Sequence, residues 1–179
     1  MWATVGLGLG TTGTLFRLLL LLHILCAVAG FGTLALSGLR QWRARQRGGE
    51  VEQLELEDDA FVTRVAEYLI YAVLALGLLV SLTSQSEWPL SQSWLSLSML
   101  LYLVELGLLH GVVHRAEAEY RLRLRRVNAG SVDDAVDPAE LAALDRLERR
   151  LRWGWGGFNL LFVVILYLMV FTPGHARVA

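Results

Sequence analysis

Lysine is absent from this sequence, so all sixteen basic side chains are arginine, and the only cysteine is Cys26. A single cysteine excludes an intrachain disulfide framework. Positive and negative charge nearly cancel, leaving a formal net charge of −1. No global field therefore points toward nucleic acid. Proline is scarce as well, with three in the chain. Pro89 stops the continuation of one apolar run, and Pro138 stands where a helix restarts. Arginine is missing altogether from residues 84–92, although it crowds the segments on either side of the two spans flanking that stretch.

What the chain has in abundance is apolar surface, 55% of residues with a mean hydropathy of +0.48. That exceeds what a soluble domain usually carries. Four runs each approach the ~20 residues that a helix needs to cross the hydrocarbon core. They are Leu15 to Ser37, Phe61 to Thr83, Ser93 to Arg115 and Leu151 to Phe171. The expectation is one all-α domain over residues 1–179: an antiparallel four-helix bundle in a membrane, with a short helical hairpin at about 116–150. Arg17, the first apolar run and Ala27-Val28-Ala29 imitate a cleavable signal peptide, but the run continues to Leu36, too far for such a segment. The glycine-bearing stretch Met1 to Thr14 is expected to be a loose outer tail.

Arginine sets the expected orientation. Arg40, Arg43, Arg45 and Arg47 lie between spans one and two, and nine more, from Arg115 to Arg152, lie between or at the ends of spans three and four. The positive-inside rule then puts both termini outside and both long loops in the cytoplasm of a bacterial inner membrane. Trp2, Trp88 and Trp94 fit an outer aromatic belt, and Trp42, Trp153 and Trp155 an inner one.

Within the spans, ionisable residues need explaining, since burying them in a bilayer is expensive. Glu105 falls near the midplane and is expected to be neutral, with Tyr71 or Asn159 as its hydrogen-bond partner. Arg64, Glu67, His110 and Asn159 should form a buried polar cluster toward the inner side, with Tyr71 and Glu105 above it. Arg64 and Glu67, three apart, can pair. His110 and His114 form an HxxxH, which lacks the glutamate of a zinc protease. With no further anchored ligand, that pattern assigns no metal. No catalytic constellation is present.

Span one carries His23, Cys26, Ala27, Gly30 and Ser37 on one face, a small-residue stripe that lets another backbone approach. It also suits a flat cofactor with His23 as axial ligand; Met99 lies at a matching depth and is the natural sixth ligand for a haem b. Asp58 or Asp59 is expected to cap span two, Ser91 span three, and Asp137-Pro138 to start the last helix. The string Trp153-Gly154-Trp155-Gly156-Gly157 suggests a bend on entry to span four.

The first-span string LHILCAVAGFG, four spans and arginine-rich inner loops resemble bacterial predicted integral membrane proteins classed as a domain of unknown function. The pattern is more distantly similar to copper-resistance D-like membrane domains and to the four-helix haem-binding protoporphyrinogen oxidases. The oxidase resemblance implies a haem histidine at His23 and a lysine on a later span, and this chain has no lysine. Three functions follow as expectations: a non-catalytic accessory subunit or scaffold, a b-type haem or quinone protein, and a small proton-coupled transporter using Glu105. The expected partners are lipids and other membrane subunits or a second copy, and nucleic acid is not among them.

Overall fold

The computed structural model describes residues 11–47, 49–84, 88–129 and 137–171. Among these, all regular structure is helical. α1 spans Thr14–Arg47 and α2 Gly49–Thr83; α3, Ser93–Leu108, runs through a π-helical turn at Leu109–His114 into α4, Arg115–Ala129; α5 spans Pro138–Phe171. Four helices are long and apolar enough to cross a membrane, namely α1, Phe61–Thr83 of α2, the rod Ser93–Ala129, and α5. The fold is an all-α membrane four-helix bundle.

Backbones approach closely between α1 and α2 and between α3 and α5. The small stripe of span one faces α2: a methyl at Gly30 would meet Leu69 Cβ at 3.2 Å and the Ala66 carbonyl at 3.3 Å. Farther along, Ser37 Oγ and Thr63 Oγ1 share a buried hydrogen bond of 3.0 Å. Glycine plays the same part in α5, where Gly154 abuts Val113. Elsewhere α2 meets α3 through long side chains, as where the Tyr102 hydroxyl donates to the Ile70 carbonyl at 2.5 Å. Phe31 stacks on Phe162 at 4.5 Å and lies edge-on to Tyr102, tying α1 to α5 and α3 around one core.

Several local expectations are corrected. Residues 38–47 and 49–60 are not a loop but helical extensions of α1 and α2. Part of their surface packs: Gln41, Ala44, Glu52 and Leu56 are buried. Asp58 and Asp59 therefore lie within α2 and cannot begin it. Span three is capped from Gln92, not Ser91, in a turn closed by Gln92 N–H to the Pro89 carbonyl. α5 runs unbroken through Trp153 to Gly157; Gly154 and Gly157 face packed neighbours, Val113 and Leu108, instead of relieving a bend. Trp155 is buried against Gly38 and Phe158, so it is not part of an interfacial belt. Trp2 and most of the expected outer tail lie outside the described residues.

The start of α5 is as the sequence suggests. Asp137 Oδ1 accepts the Ala139 amide at 2.8 Å with Pro138 as the first helical residue, which satisfies a donor that the helix cannot.

Candidate functional site

The arginine-rich end of the bundle holds a cavity of about 330 Å³ lined by Gln41, Thr63, Arg64, Glu67, His110, His114, Glu117 and Arg121 among others. Its walls come from α1, α2 and the rod that continues span three. Helix geometry supplies most of the lining. Thr63 and Arg64 are neighbours on one turn of α2 with Glu67 a turn on, and His110, His114, Glu117 and Arg121 recur at intervals of four, three and four along the rod.

The π-helical turn sets the histidines. Bonds closed from i to i+5 take more residues per turn than an α-helix, so side chains beyond such a segment are rotated relative to those before it, and π turns concentrate at functional sites. Here the segment contains both His110 and His114, whose rings lie 5.2 Å apart. The turn also separates the roles of the span: Glu105 before it points into the core at 1% exposure, and His110 within it is exposed.

Each histidine has a fixed partner. His110 Nδ1 donates to the Leu106 carbonyl at 2.9 Å. In the neutral ring this leaves Nε2 as an acceptor, which takes the Tyr71 hydroxyl at 2.6 Å. His114 Nε2 lies 2.5 Å from Glu67 Oε1, and its Nδ1 is 3.9 Å from Glu117 Oε2. Glu117 in turn lies 3.8 Å from Arg121. One ligand atom each from Glu67, His110 and His114 falls within 4.8 Å of the others.

The polar cluster expected from the sequence is thus partly assembled. Glu67, Tyr71 and His110 come together, and Arg64 lines the same cavity, exposed. Glu67 engages His114, not Arg64, because the π turn carries His114 toward α2 instead of leaving it at the interface beside Arg115. Asn159 stands apart and donates to the Trp155 carbonyl of its own helix. Glu105 is also apart. Neither of its buried carboxyl oxygens has a hydrogen-bond partner, since Tyr71 is occupied by His110 and Asn159 by its own helix. Sequence reasoning missed Glu117, Arg121, Gln41 and Thr63. The stripe from His110 through His114 and Glu117 to Arg121 was the signal for two of them.

His23 lies on the α1–α2 interface. Its Nδ1 donates to the Val73 carbonyl at 2.9 Å, and its ring packs on Gly77, where a methyl would come within 3.0 Å of Cε1. That hydrogen bond leaves Nε2 as the lone-pair nitrogen, the arrangement in which a histidine ligates iron. His23 thus fits as one axial ligand to a haem. Met99 sits on α3, which makes no close backbone approach to α1 among the described residues, as two ligands on opposite faces of a macrocycle also would not.

Comparison with known proteins places these features in a family. A family model described as "Predicted integral membrane protein (DUF2269)" matches residues 17–173. Neither the curated proteins nor the solved structures contain a match.

Proposed function

The chain belongs to this family of predicted integral membrane proteins, DUF2269, and from that premise we propose that it is a non-catalytic membrane protein that binds a small charged ligand in the cavity at its arginine-rich end. The observation that supports this is a cavity of about 330 Å³ walled by Arg64, Glu67, His110, His114, Glu117 and Arg121. Ionisable groups gathered where two spans meet the membrane edge mark ligand and ion sites, because side chains of this kind are otherwise kept out of hydrocarbon. The orientation that goes with this reading has the cavity opening to the cytoplasm of a bacterial inner membrane, on the asymmetry of arginine between the two ends. Its test is thiol labelling of Arg64→Cys in a Cys26→Ser background. A membrane-impermeant reagent should modify position 64 in inverted vesicles and leave it untouched in intact cells. No modification from either side removes the cavity reading, and modification in intact cells reverses the orientation.

A second reading, as accessory subunit of a membrane complex, is favoured by exposed apolar side chains beyond the spans. Leu54, Leu122 and Leu141 are 64%, 56% and 49% exposed on the helical extensions. The small-residue stripe of α1 no longer offers a docking face, since α2 covers it. Purification in mild detergent should then yield a copurifying membrane protein that charged substitution of Leu122 and Leu141 releases. Retention of that protein by the doubly substituted chain counts against the subunit role.

A further inference from the structure

We propose that Glu67, His110 and His114 form a binding site for a divalent first-row transition metal ion of the zinc class. The inference rests on the cavity reading above and names the ligand. Two imidazole nitrogens and one carboxylate oxygen, all within 4.8 Å of one another, come from two different helices. Zinc holds such donors at about 2.0–2.2 Å, which sets tetrahedral ligand atoms roughly 3.3 Å apart. Closing the present spread on an ion takes side-chain shifts of about an ångström, within reach of rotamer adjustment at the cavity rim.

The surroundings argue for the site as strongly as the three ligands do. A ligating histidine needs its second nitrogen held by a carbonyl or carboxylate, which fixes both the tautomer and the ring plane. His110 has this from the Leu106 carbonyl, at 2.9 Å from Nδ1, so that its Nε2 lone pair faces the cavity. Beside His114 Nδ1 the Glu117 carboxylate stands 3.9 Å away, too far for a hydrogen bond but near enough to take that role after a small side-chain shift, and Nε2 lies beside Glu67. The metal would enter between His114 Nε2 and Glu67 Oε1, which approach each other without a hydrogen bond, and any proton on either atom would leave to solvent as the ion binds. Tyr71, now hydrogen-bonded to His110 Nε2, would give up that bond to the metal.

Arginine in the cavity does not forbid the ion. Arg121 is held by Glu117, and Arg64 is exposed at the rim. Three protein ligands leave a coordination position open toward the cavity, as in zinc sites that exchange a bound water or ligand. Binding also clasps α2 to the rod at a level where the two helices meet through side chains and not through close backbone packing.

The test uses the full chain, purified in mild detergent, stripped with a chelator and titrated with Co²⁺ as a coloured stand-in for Zn²⁺. The expected result is one Co²⁺ per chain with the visible bands of a four-coordinate nitrogen and oxygen site, displaced stoichiometrically by Zn²⁺. His110→Gln and Glu67→Gln should each weaken Co²⁺ binding at least tenfold, and His114→Gln should abolish the bands. His110 is exposed, so its variant should fold, which circular dichroism of the metal-free protein checks. Absent bands in the wild type, or bands unchanged in both histidine variants, overturn the proposal. The Arg64→Cys labelling separates the two ideas: a modified position 64 with no Co²⁺ bands leaves the cavity standing without a metal.

Discussion

Among the described residues, the polar contacts at the Trp88 end of the bundle stay within a few residues of chain, whereas at the arginine-rich end several join residues far apart. Ser84 Oγ donates to the Ser81 carbonyl and accepts the Trp88 amide, and Ser81 Oγ reaches the Trp88 carbonyl. Phe16 and Trp94 close around Trp88 at 5.3 and 6.3 Å. That end is a turn satisfying its own backbone under an aromatic lid. At the other end Tyr120 donates to Glu52 at 2.6 Å across 68 residues, Glu67 meets His114, and Arg123 pairs with Glu140 at 2.9 Å. Such contacts form only once the helices have packed. The Tyr120–Glu52 contact among them is buried, a polar pair that a bundle built for stability alone could replace with apolar side chains at no loss. The difference teaches that the end holding the cavity is the one whose polar groups depend on tertiary structure.

The strongest way to break that half is to move the π turn. A methyl on Gly154 would lie 2.9 Å from Val113 Cγ2, and Val113 is fully buried with no space into which to retreat. Overpacking of this kind costs up to about 3 kcal/mol. Gly154→Ala should therefore lower the thermal midpoint in detergent markedly, read by circular dichroism. Gly156, on the same turn, has nothing within 4 Å, so Gly156→Ala should gain about 0.5–1 kcal/mol from helix propensity alone. Equal effects at the two positions would show that the contact with the π turn does not matter.

Next in size is the link between the extensions. Tyr120→Phe removes the donor to Glu52, which is 4% exposed and then left as a buried acceptor without it. The expected loss is about 2 kcal/mol, the penalty for orphaning a buried charged group. Chemical denaturation in mixed micelles measures it, and an unchanged midpoint would mean that the Glu52 carboxylate reaches water.

Glu105 should respond with the opposite sign. Its carboxyl oxygens are buried without partners, so an apolar side chain of similar size removes a desolvation penalty and opens no cavity. Glu105→Leu should raise stability by about 1–2 kcal/mol. A loss of similar size would show that the carboxyl is hydrogen-bonded in the membrane, as the sequence alone suggested. Should Glu105→Gln fold normally and still remove a cellular phenotype, the proton-coupled reading becomes the leading one.

How much of this was legible beforehand depends on the range of the interaction. The four spans and the Asp137-Pro138 start follow from local pattern, because hydrophobic length and a capping side chain act within one helix. Glu105 could be singled out for the same reason: its depth follows from counting residues. The π turn could not, since LHGVVH is compatible with an α-helix and only packing against Gly154 and the polar grip of Glu67 on His114 distinguish the two. The charged stretch after Ser37 was mistaken for a loop because its helical face, Gln41, Ala44, Glu52 and Leu56, is short in apolar residues and packs through polar ones. Gly154 and Gly157 suggested a bend for the complementary reason that glycine states where a backbone is free or crowded but not which.

The smallest effect belongs to the Trp88 end, and it sharpens the comparison by its locality. Ser84 is fully buried, and its hydroxyl makes two bonds, 2.7 Å to the Ser81 carbonyl and 3.1 Å from the Trp88 amide. Ser84→Ala removes both without changing volume much. The Ser81 carbonyl still accepts the residue 84 amide at 3.3 Å, so only the Trp88 amide loses its partner outright. The net cost should be about 1 kcal/mol, that of one hydrogen bond with partial rescue by water near the surface. Because these contacts lie within a single turn, the loss should add to that of Tyr120→Phe with no coupling, as mutations far apart and sharing no partners do to within about 0.5 kcal/mol. A double-mutant cycle measured by denaturation decides it. Coupling above that size would mean that the two ends communicate through the bundle, and the division between a locally closed end and an end joined across helices would fail.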